Sequence, residues 1–484
     1  MKKPSALEQA GFVLADGSPF RAGMSYDAAS MGRRMGGWRA SSGGPNAINA
    51  GSTTTLRSRS RDANRNNAWI KRGLNNWVSN EVGTGFVPTS RSPDAEFSAT
   101  ANALWKLWAK EADADGILDV YGLQALAVRA RQEAGEAFIR LRPRRLEDGL
   151  TVPLQIQLLE ADHVPLEKNE PGTDRTVRQG IEYSAIGRRV AYWMYRRHPG
   201  ELDSGSIELA RVPARDVIHH YAPLRIGQIR GVPWTIQALI KTKDFDDYDD
   251  AELQRKKTRS HFTGVIERDS FDENDYKFDP FSGEPIERDS SGVGMASLEP
   301  GSFPALLPGE KINLFDGDSS GQGYADYCRQ QLLAAAAALD IPYELLSGDM
   351  RNVNDRVLRA ILNEYHRIIE QSQWLITIPQ LCDKIWAAFI DAAVLAGKLK
   401  ADDYAERKAE YQAVEWCPQA WAYLHPVQDV QGKLLKIAGG LSTRGRESDG
   451  LDVADIDAQN AADAQRVKDL GLTYSHDPGK PVND

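Results

Sequence analysis

Pro233-Trp-Thr-Ile-Gln-Ala-Leu-Ile-Lys-Thr-Lys-Asp-Phe-Asp-Asp-Tyr-Asp-Asp-Ala-Glu-Leu-Gln-Arg-Lys-Lys-Thr-Arg259 is the stretch that decides how the chain is organised. Proline suits the first turn of a helix, where no backbone N–H is required, so a helix is predicted from Pro233 to Thr263. Its middle carries Asp244, Asp246, Asp247, Asp249, Asp250 and Glu252, and its end carries Arg255, Lys256, Lys257 and Arg259, where the helix dipole favours positive charge. The apolar anchors are Leu239, Ile240, Phe245, Tyr248, Leu253 and Phe262. So narrow a stripe cannot serve a helix buried on several sides. It predicts packing along one seam, against another subunit or a single partner helix.

Upstream, Ala63, Ile70, Leu74 and Trp77 recur at helical spacing from Arg57 to Gly83. A second helix carries Phe97, Leu104, Trp105 and Trp108 on one stripe, and a third spans Val120 to Ala134, stopped by Gly135. The period then falls to two in 136–143 and 154–160, which predicts strands; 180–195 reads as a hairpin turning at Gly187, and 216–221 as one more strand. Downstream, 264–310 is rich in Gly, Pro, Asp and Glu and reads as an insertion. Helices are predicted from Tyr324 to Leu339 and from Val353 to Pro379, with a turn at Ile341-Pro-Tyr-Glu-Leu-Leu-Ser-Gly-Asp349 between them. The first 56 residues are basic and rich in Gly, Ser and Asn, and read as a flexible arm. The fold class expected is α+β and predominantly helical.

Composition narrows the function. The chain has 484 residues, with 59 Lys+Arg against 68 Asp+Glu and a net charge of −9. A net acidic surface argues against tight wrapping of nucleic acid, which needs cations to displace phosphate counterions. The longest apolar run, Leu332 to Leu339, has eight residues, short of the roughly 20 of a membrane span. Cys328, Cys382 and Cys417 are too scattered for a disulfide framework or a Cys-x-x-Cys metal site.

Gly317-Asp-Ser-Ser-Gly321 fits a nucleophile elbow, which makes Ser319 the candidate for a serine hydrolase, with Asp349 and His425 downstream. The strand–helix alternation of an α/β-hydrolase is missing around it. The acids from Asp244 to Glu252 lie on one helix beside basic residues and read as a charged surface rather than a two-metal site. His219 and His220 are adjacent on a strand, so they point to opposite faces and cannot share a metal. No phosphate-binding Gly-rich Lys loop occurs. No catalytic residue, cofactor or metal is assigned.

An ordered set of short stretches resembles the portal proteins of tailed bacteriophages, lambda-type family. It includes Arg61-x-x-x-Arg-Asn-Asn-Ala-Trp-Ile, Gly83-Thr-Gly, Trp105-x-x-Trp, Gly135-Glu-Ala-Phe, Gln157-Leu-Leu-Glu-Ala-Asp and His198-Pro-Gly. The densest block is Leu224-Arg-Ile-Gly-Gln-Ile-Arg-Gly-Val-Pro-Trp, followed by Leu307-Pro-Gly-Glu-Lys-Ile, Ile341-Pro-Tyr-Glu-Leu-Leu-Ser-Gly-Asp and Gly440-Leu-Ser-Thr-Arg. The set runs over residues 57 to 450. After Asp349 the family commonly shows Asn-Tyr-Ser-Ser-x-Arg, where this chain has Asn352-Val-Asn-Asp-Arg.

The resemblance implies a subunit with wing, stem, clip and crown that forms a homo-oligomeric ring with a central channel, usually of twelve copies. The alternatives are the serine hydrolase and another phage connector or tail ring. The expected division is 1–56 arm, 57–232 wing, 233–263 first stem helix, 264–318 clip, 319–339 second stem helix, 340–353 tunnel loop, 354–426 wing helices, and 427–484 crown and tail. The implied partners are a large terminase subunit, the major capsid or scaffold protein, a head-completion or adaptor protein, and double-stranded DNA in the channel, with no membrane. The implied location is the portal vertex of the virion, after assembly in host cytoplasm. Ser347, Asp349, Met350, Arg351, Asn352 and Asn354 are expected at the DNA channel. The ten charged stem residues named above are expected to divide between bore and subunit interface.

Overall fold

A computed structural model describes residues 41–201, 208–261, 323–351, 353–418, 421, 426–445, 447–448 and 453–471. The chain opens with α1 (Pro45–Ala50), α2 (Thr53–Asn66) and α3 (Ala68–Glu81). After β1 (Val87–Ser90) come α4 (Ala95–Trp108) and α5 (Val120–Ala134), then β2 (Glu136–Pro143) and β3 (Leu154–Glu160). Five more strands follow: β4 (Arg175–Arg178), β5 (Ile181–Ser184), β6 (Arg189–Tyr195), β7 (Leu209–Pro213) and β8 (Val217–Tyr221). Next are α6 (Ile236–His261), α7 (Tyr324–Ala338), α8 (Tyr343–Ser347) and α9 (Asp355–Ser372), which runs on through a π-helical segment, Gln373–Cys382, into α10 (Asp383–Leu395). The last elements are α11 (Lys408–Tyr411), β9 (Val414–Cys417), α12 (Pro426–Ala438) and α13 (Val453–Asp469).

All sheet pairings between named strands are antiparallel: β1 with β9, the three-stranded order β3-β2-β8, and the four-stranded order β4-β5-β6-β7. The main core packs α3, α4, α5, α9 and α10 around the aromatic group Trp105, Trp108, Trp386 and Phe389, with ring centroids 5.0–5.6 Å apart. A smaller core, including Phe138, Tyr192, Val212 and Val217, joins the two larger sheets.

Four expectations change at their edges. The arm expected over 1–56 contains α1 and the start of α2, and residues 1–40 lie outside those described. Apolar periodicity could not show α2 starting there, because the face it buries is polar: Thr53, Arg57 and Ser60. The single helix expected from Arg57 to Gly83 is two, because Asn67 takes an extended conformation and its side chain accepts from the N–H of Ile70, capping α3. The stem helix begins at Ile236 rather than Pro233. The helix expected from Tyr324 starts at that residue, while the expected clip, 264–318, and Ser319 lie outside the described residues. The helix expected over 353–379 starts at Asp355 and, from Gln373, widens to π geometry around Pro379, which has no N–H to donate.

Two fully buried carboxylates hold these parts in register. Glu136 accepts from Arg57 of α2, from Arg230 Nε (2.7 Å), from the N–H of Gly231 (2.9 Å) and from His219 Nε2 (2.9 Å). Arg189 NH1 donates to Nδ1 of that ring at 3.2 Å, so the imidazole is neutral, with its proton on Nε2. Burial, helped by Arg189 and Arg230, pushes His219 down to about 4 against the pull of Glu136. Backbone approach here is close. A Cβ on Gly231 would lie 1.9 Å from the Gly135 carbonyl oxygen, and Gly135 itself has φ of 90°. Glu81 takes Arg131 (2.6 Å) and the hydroxyls of Ser372 (3.1 Å) and Thr377 (2.5 Å).

Between pH 6.5 and 4 the unfolded chain protonates His219 while the fold does not, so stability is complete above this window and falls as pH drops through it. Glu136, held well below the ordinary carboxylate value by its partners despite its burial, adds a loss of the same sign at lower pH. Denaturant titration from pH 7.5 to 4 is expected to show a decline on the order of 3 kcal/mol from His219, and a flat profile would refute its neutral state.

Candidate functional site

Helix α6 is joined to the end of α5 through Trp234, whose backbone N–H donates to the Gln132 carbonyl at 3.0 Å. Its buried positions, Ala238, Thr242, Phe245 and Glu252, form one thin seam. Opposite it, α7 contributes Leu332, Ala335 and Ala336 to the core. Tyr248 of α6 packs on Tyr327 (4.3 Å between centroids) and lies near parallel to Tyr324 (6.3 Å). The Tyr324 hydroxyl donates to Asp249, which raises the pKa of that hydroxyl, and the Lys256 ammonium sits 4.4 Å from the same ring.

The acids of α6 therefore do not share one role. Glu252 is buried and accepts from Arg255 at 2.9 Å, with Lys256 at 3.7 Å. Asp246 accepts from Asn67 at 2.8 Å, which ties α6 to the α2–α3 junction. Asp249 faces α7, and Asp247 pairs with Lys243. Asp244, Asp247 and Asp250 are exposed at every third position. Lys257 is exposed, and the side chain of Arg259 lies outside the described residues.

After α7, the turn over 339–354 is bound at its base to α3. The carbonyl of Leu345 accepts from Arg72 Nε (3.0 Å) and Asn76 Nδ2 (2.9 Å). Ser347 donates to the carbonyl of Tyr343 and accepts from the N–H of Asp349, so its hydroxyl shapes the turn. Gly348 ends α8 with φ of 75°. Asp349 accepts from Arg351 at both oxygens (2.8 Å each) and from the Tyr343 hydroxyl (3.3 Å), and the Arg351 bonds hold its carboxyl below the ordinary range. Asn354 caps α9 by accepting from the N–H of Val357 at 2.9 Å. Of the six residues expected in this loop, three are occupied in forming the turn, Asn352 lies outside the described residues, and Met350 and Arg351 stand in solvent at 48% and 85% side-chain or residue exposure.

Glu160, Asp162 and His198 bring possible metal-ligand atoms within 4.8 Å of one another. Arg61 already bridges both carboxylates, at 2.7 and 2.5 Å, so a guanidinium takes the position a cation would need. His219 and His220 do face opposite sides of β8, one toward Glu136 and the other toward Arg131 (3.3 Å). Residues missed from sequence are Arg72, Asn76, Asn67 and Tyr324. Their spacing carries no motif, and each acts on an element far away in the chain.

The sequence model described as "Phage portal protein, lambda family" matches residues 31–373. The chain is 24% identical over 443 residues to a protein named "Probable portal protein" of Halomonas phage phiHAP-1, covering 86% of this chain and 81% of that one. It is 22% identical over 334 residues to portal protein B of Escherichia phage lambda, covering 63% of this chain and 61% of that one. Among solved structures, a chain of the native gene transfer agent virion aligns at TM-score 0.41 with 13% identity, over 88% of this chain and 94% of that one.

The base of the 339–354 turn can be tested apart from any partner. In Arg72→Ala one of the two bonds to the Leu345 carbonyl is lost, worth about 1 kcal/mol, or roughly fivefold in local opening. Hydrogen exchange over 345–351 is expected to accelerate by that factor with global unfolding little changed, and unchanged exchange would show that Arg72 does not hold the loop.

Proposed function

The chain belongs to the lambda family of phage portal proteins, and on that premise we propose that twelve copies form a ring at one vertex of the capsid, through which double-stranded DNA is packaged and later ejected. In this reading the ring sits in the virion after assembly in the host cytoplasm. It contacts the major capsid or scaffold protein at its rim, then a large terminase subunit, and later a head-completion or adaptor protein. Its role is structural, and the division into wing, stem, clip, tunnel loop and crown follows the boundaries given above.

The observation that carries this reading is the sparse stem. Outside the α6–α7 seam, Ile240 (71% exposed), Leu253 (50%) and Leu333 (38%) are left to solvent, although the two helices are already packed together. Apolar side chains on both helices beyond their shared seam suit head-to-tail contacts with neighbouring copies, which close into a ring when the rotation permits. The exposed row Asp244, Asp247 and Asp250 suits a bore wall that repels phosphates, so that DNA slides with few bound states. Asp246, Asp249 and Glu252 would brace the stem instead. Met350 and Arg351 would approach DNA from the tunnel loop, Arg351 after exchanging Asp349 for a phosphate.

Twelve copies of a 53.5 kDa chain give a particle of about 640 kDa with closed rotational symmetry. Negative-stain images and mass measurement of the purified protein are expected to show such a ring with a central hole, and a monomer under all conditions would sink the proposal. Replacing Asp244, Asp247 and Asp250 with Asn should tighten DNA retention several-fold at low salt and slow packaging, the difference fading as salt screens the charges. Unchanged retention and packaging would remove these acids from the bore.

A further inference from the structure

Strand β2 and the residue after it carry Arg140, Arg142 and Arg144 at alternate positions, which places the three on one face of the β3-β2-β8 sheet. The ladder continues past the strand end, since the N–H of Arg144 donates to the Pro153 carbonyl at 2.9 Å. On β3, the side chains that meet the second and third of these are amides. Arg142 donates through Nε to Gln157 Oε1 (2.9 Å), and Arg144 donates through Nε to Gln155 Oε1 (2.9 Å). Gln155 is itself held by the carbonyls of Glu111 and Asp113, at 3.1 and 3.0 Å. Among the described residues, no carboxylate lies within ion-pair distance of any of the three guanidiniums. Elsewhere the fold pairs buried arginines with acids, as Arg57 and Arg230 with Glu136 and Arg131 with Glu81. A neutral amide orients a guanidinium without cancelling its charge. Partial burial, and then the repulsion of Arg140 and Arg144, lowers the pKa of Arg142, with Asp115 opposing.

We propose that this arginine row is a docking surface for an extended acidic peptide segment of a partner protein, its carboxylates at alternate positions meeting the three guanidiniums. A strand advances about 6.6 Å per two residues, so an extended peptide carrying an acid at every second position matches the row, and Arg142 and Arg144 keep N–H groups free of their glutamines for a carboxylate. The surroundings favour a narrow, mixed ligand over a nucleic-acid duplex. Asp115, Glu147 and Asp148 stand exposed on the two loops flanking the row and would repel a broad phosphate array. Those loops also hold Ile117 (82% exposed) and Leu146 (69%) in fixed positions, since Asp113 binds the N–H of Ile117 and Asp148 that of Arg145. The intervening apolar side chains of a mixed peptide have those two to meet. This surface is independent of the ring and channel proposed above.

The test uses the full chain and a fluorescein-labelled peptide of alternating Glu and Val, followed by anisotropy at low salt. Binding is expected to weaken about tenfold in the Arg140→Gln, Arg142→Gln, Arg144→Gln variant, in line with a few exposed charge pairs. A second variant, Gln157→Glu, keeps every arginine and supplies an internal carboxylate beside Arg142; it is expected to weaken binding while its thermal melt matches the parent. The same peptide with Lys in place of Glu should not bind. Equal binding of the Glu peptide by parent and both variants would overturn the proposal. So would a fall in affinity for a 20-base-pair duplex that matches or exceeds the fall for the peptide, because the row would then read phosphates.

Discussion

The structure depends on burying two carboxylates, Glu136 and Glu81, on opposite faces of one three-stranded sheet. Each has no accessible side-chain surface, and an unpaired buried charge would cost several kcal/mol, so each is viable only with its full set of donors in place. Those donors come from distant parts of the chain. Glu136 gathers α2, β8 and the Arg230-Gly231 approach to the stem, and Glu81 gathers α5, the end of α9 and the π-helical segment. Strand β8 touches both, because His219 and His220 project from opposite faces. An element displaced by one residue would leave a charge without partners, so the two networks enforce register where apolar packing alone tolerates slippage.

That constraint explains what was legible in the sequence. Strands β2, β3 and β8, and helix α5 with Asp119 before it and Gly135 after it, follow hydrophobic period and capping residues, and their bounds agree with the reading. Portal-family membership was also legible, through short stretches spread along the chain. What stayed hidden rests on polar side chains whose partners are remote. Arg57 and Ser60 are polar residues with no apolar spacing to mark them as buried, yet they meet Glu136 and Thr235 in the interior. Asn67 sits among other asparagines, and only its cap and its bond to Asp246 show that it divides the helix. The π segment contains Pro379, which the sequence shows, but the turning of Ser372 and Thr377 toward Glu81 has no local pattern to announce it. In the stem, the helix and its narrow seam were readable. The assignment of each acid was not, because Asp246 and Asp249 are set apart by Asn67 and Tyr324, remote in sequence, and Glu252 by its burial.

The same division sorts the charge. A net −9 suggested a surface averse to nucleic acid, but the acids are not spread evenly in function. Some are interior anchors for arginines, some brace one helix pair, and a row of three on α6 remains for solvent or whatever passes before it. The arginines sort likewise, into those neutralised in the core and those, such as Arg142 and Arg144, held by amides. Net charge describes the sum, while the local field a ligand meets depends on which ions the fold has already paired.

Stiffness is distributed in a corresponding way. The main body of the fold carries both buried networks and the tryptophan-rich core, whereas α6 is held by one thin seam and a few aromatic contacts. The turn between α7 and α9 lies between these regimes. Arg72 and Asn76 bind its base to the main body through Leu345, and Asn354 fixes the start of α9, so its freedom is confined to the few residues around Met350 and Arg351. Ion pairing between Asp349 and Arg351 orders even that tip through a bond exposed enough for a competing anion to exchange. A loop built this way can yield at its tip without transmitting the displacement to the main body, since the bonds that would carry it end on α3, inside the best-packed part of the molecule.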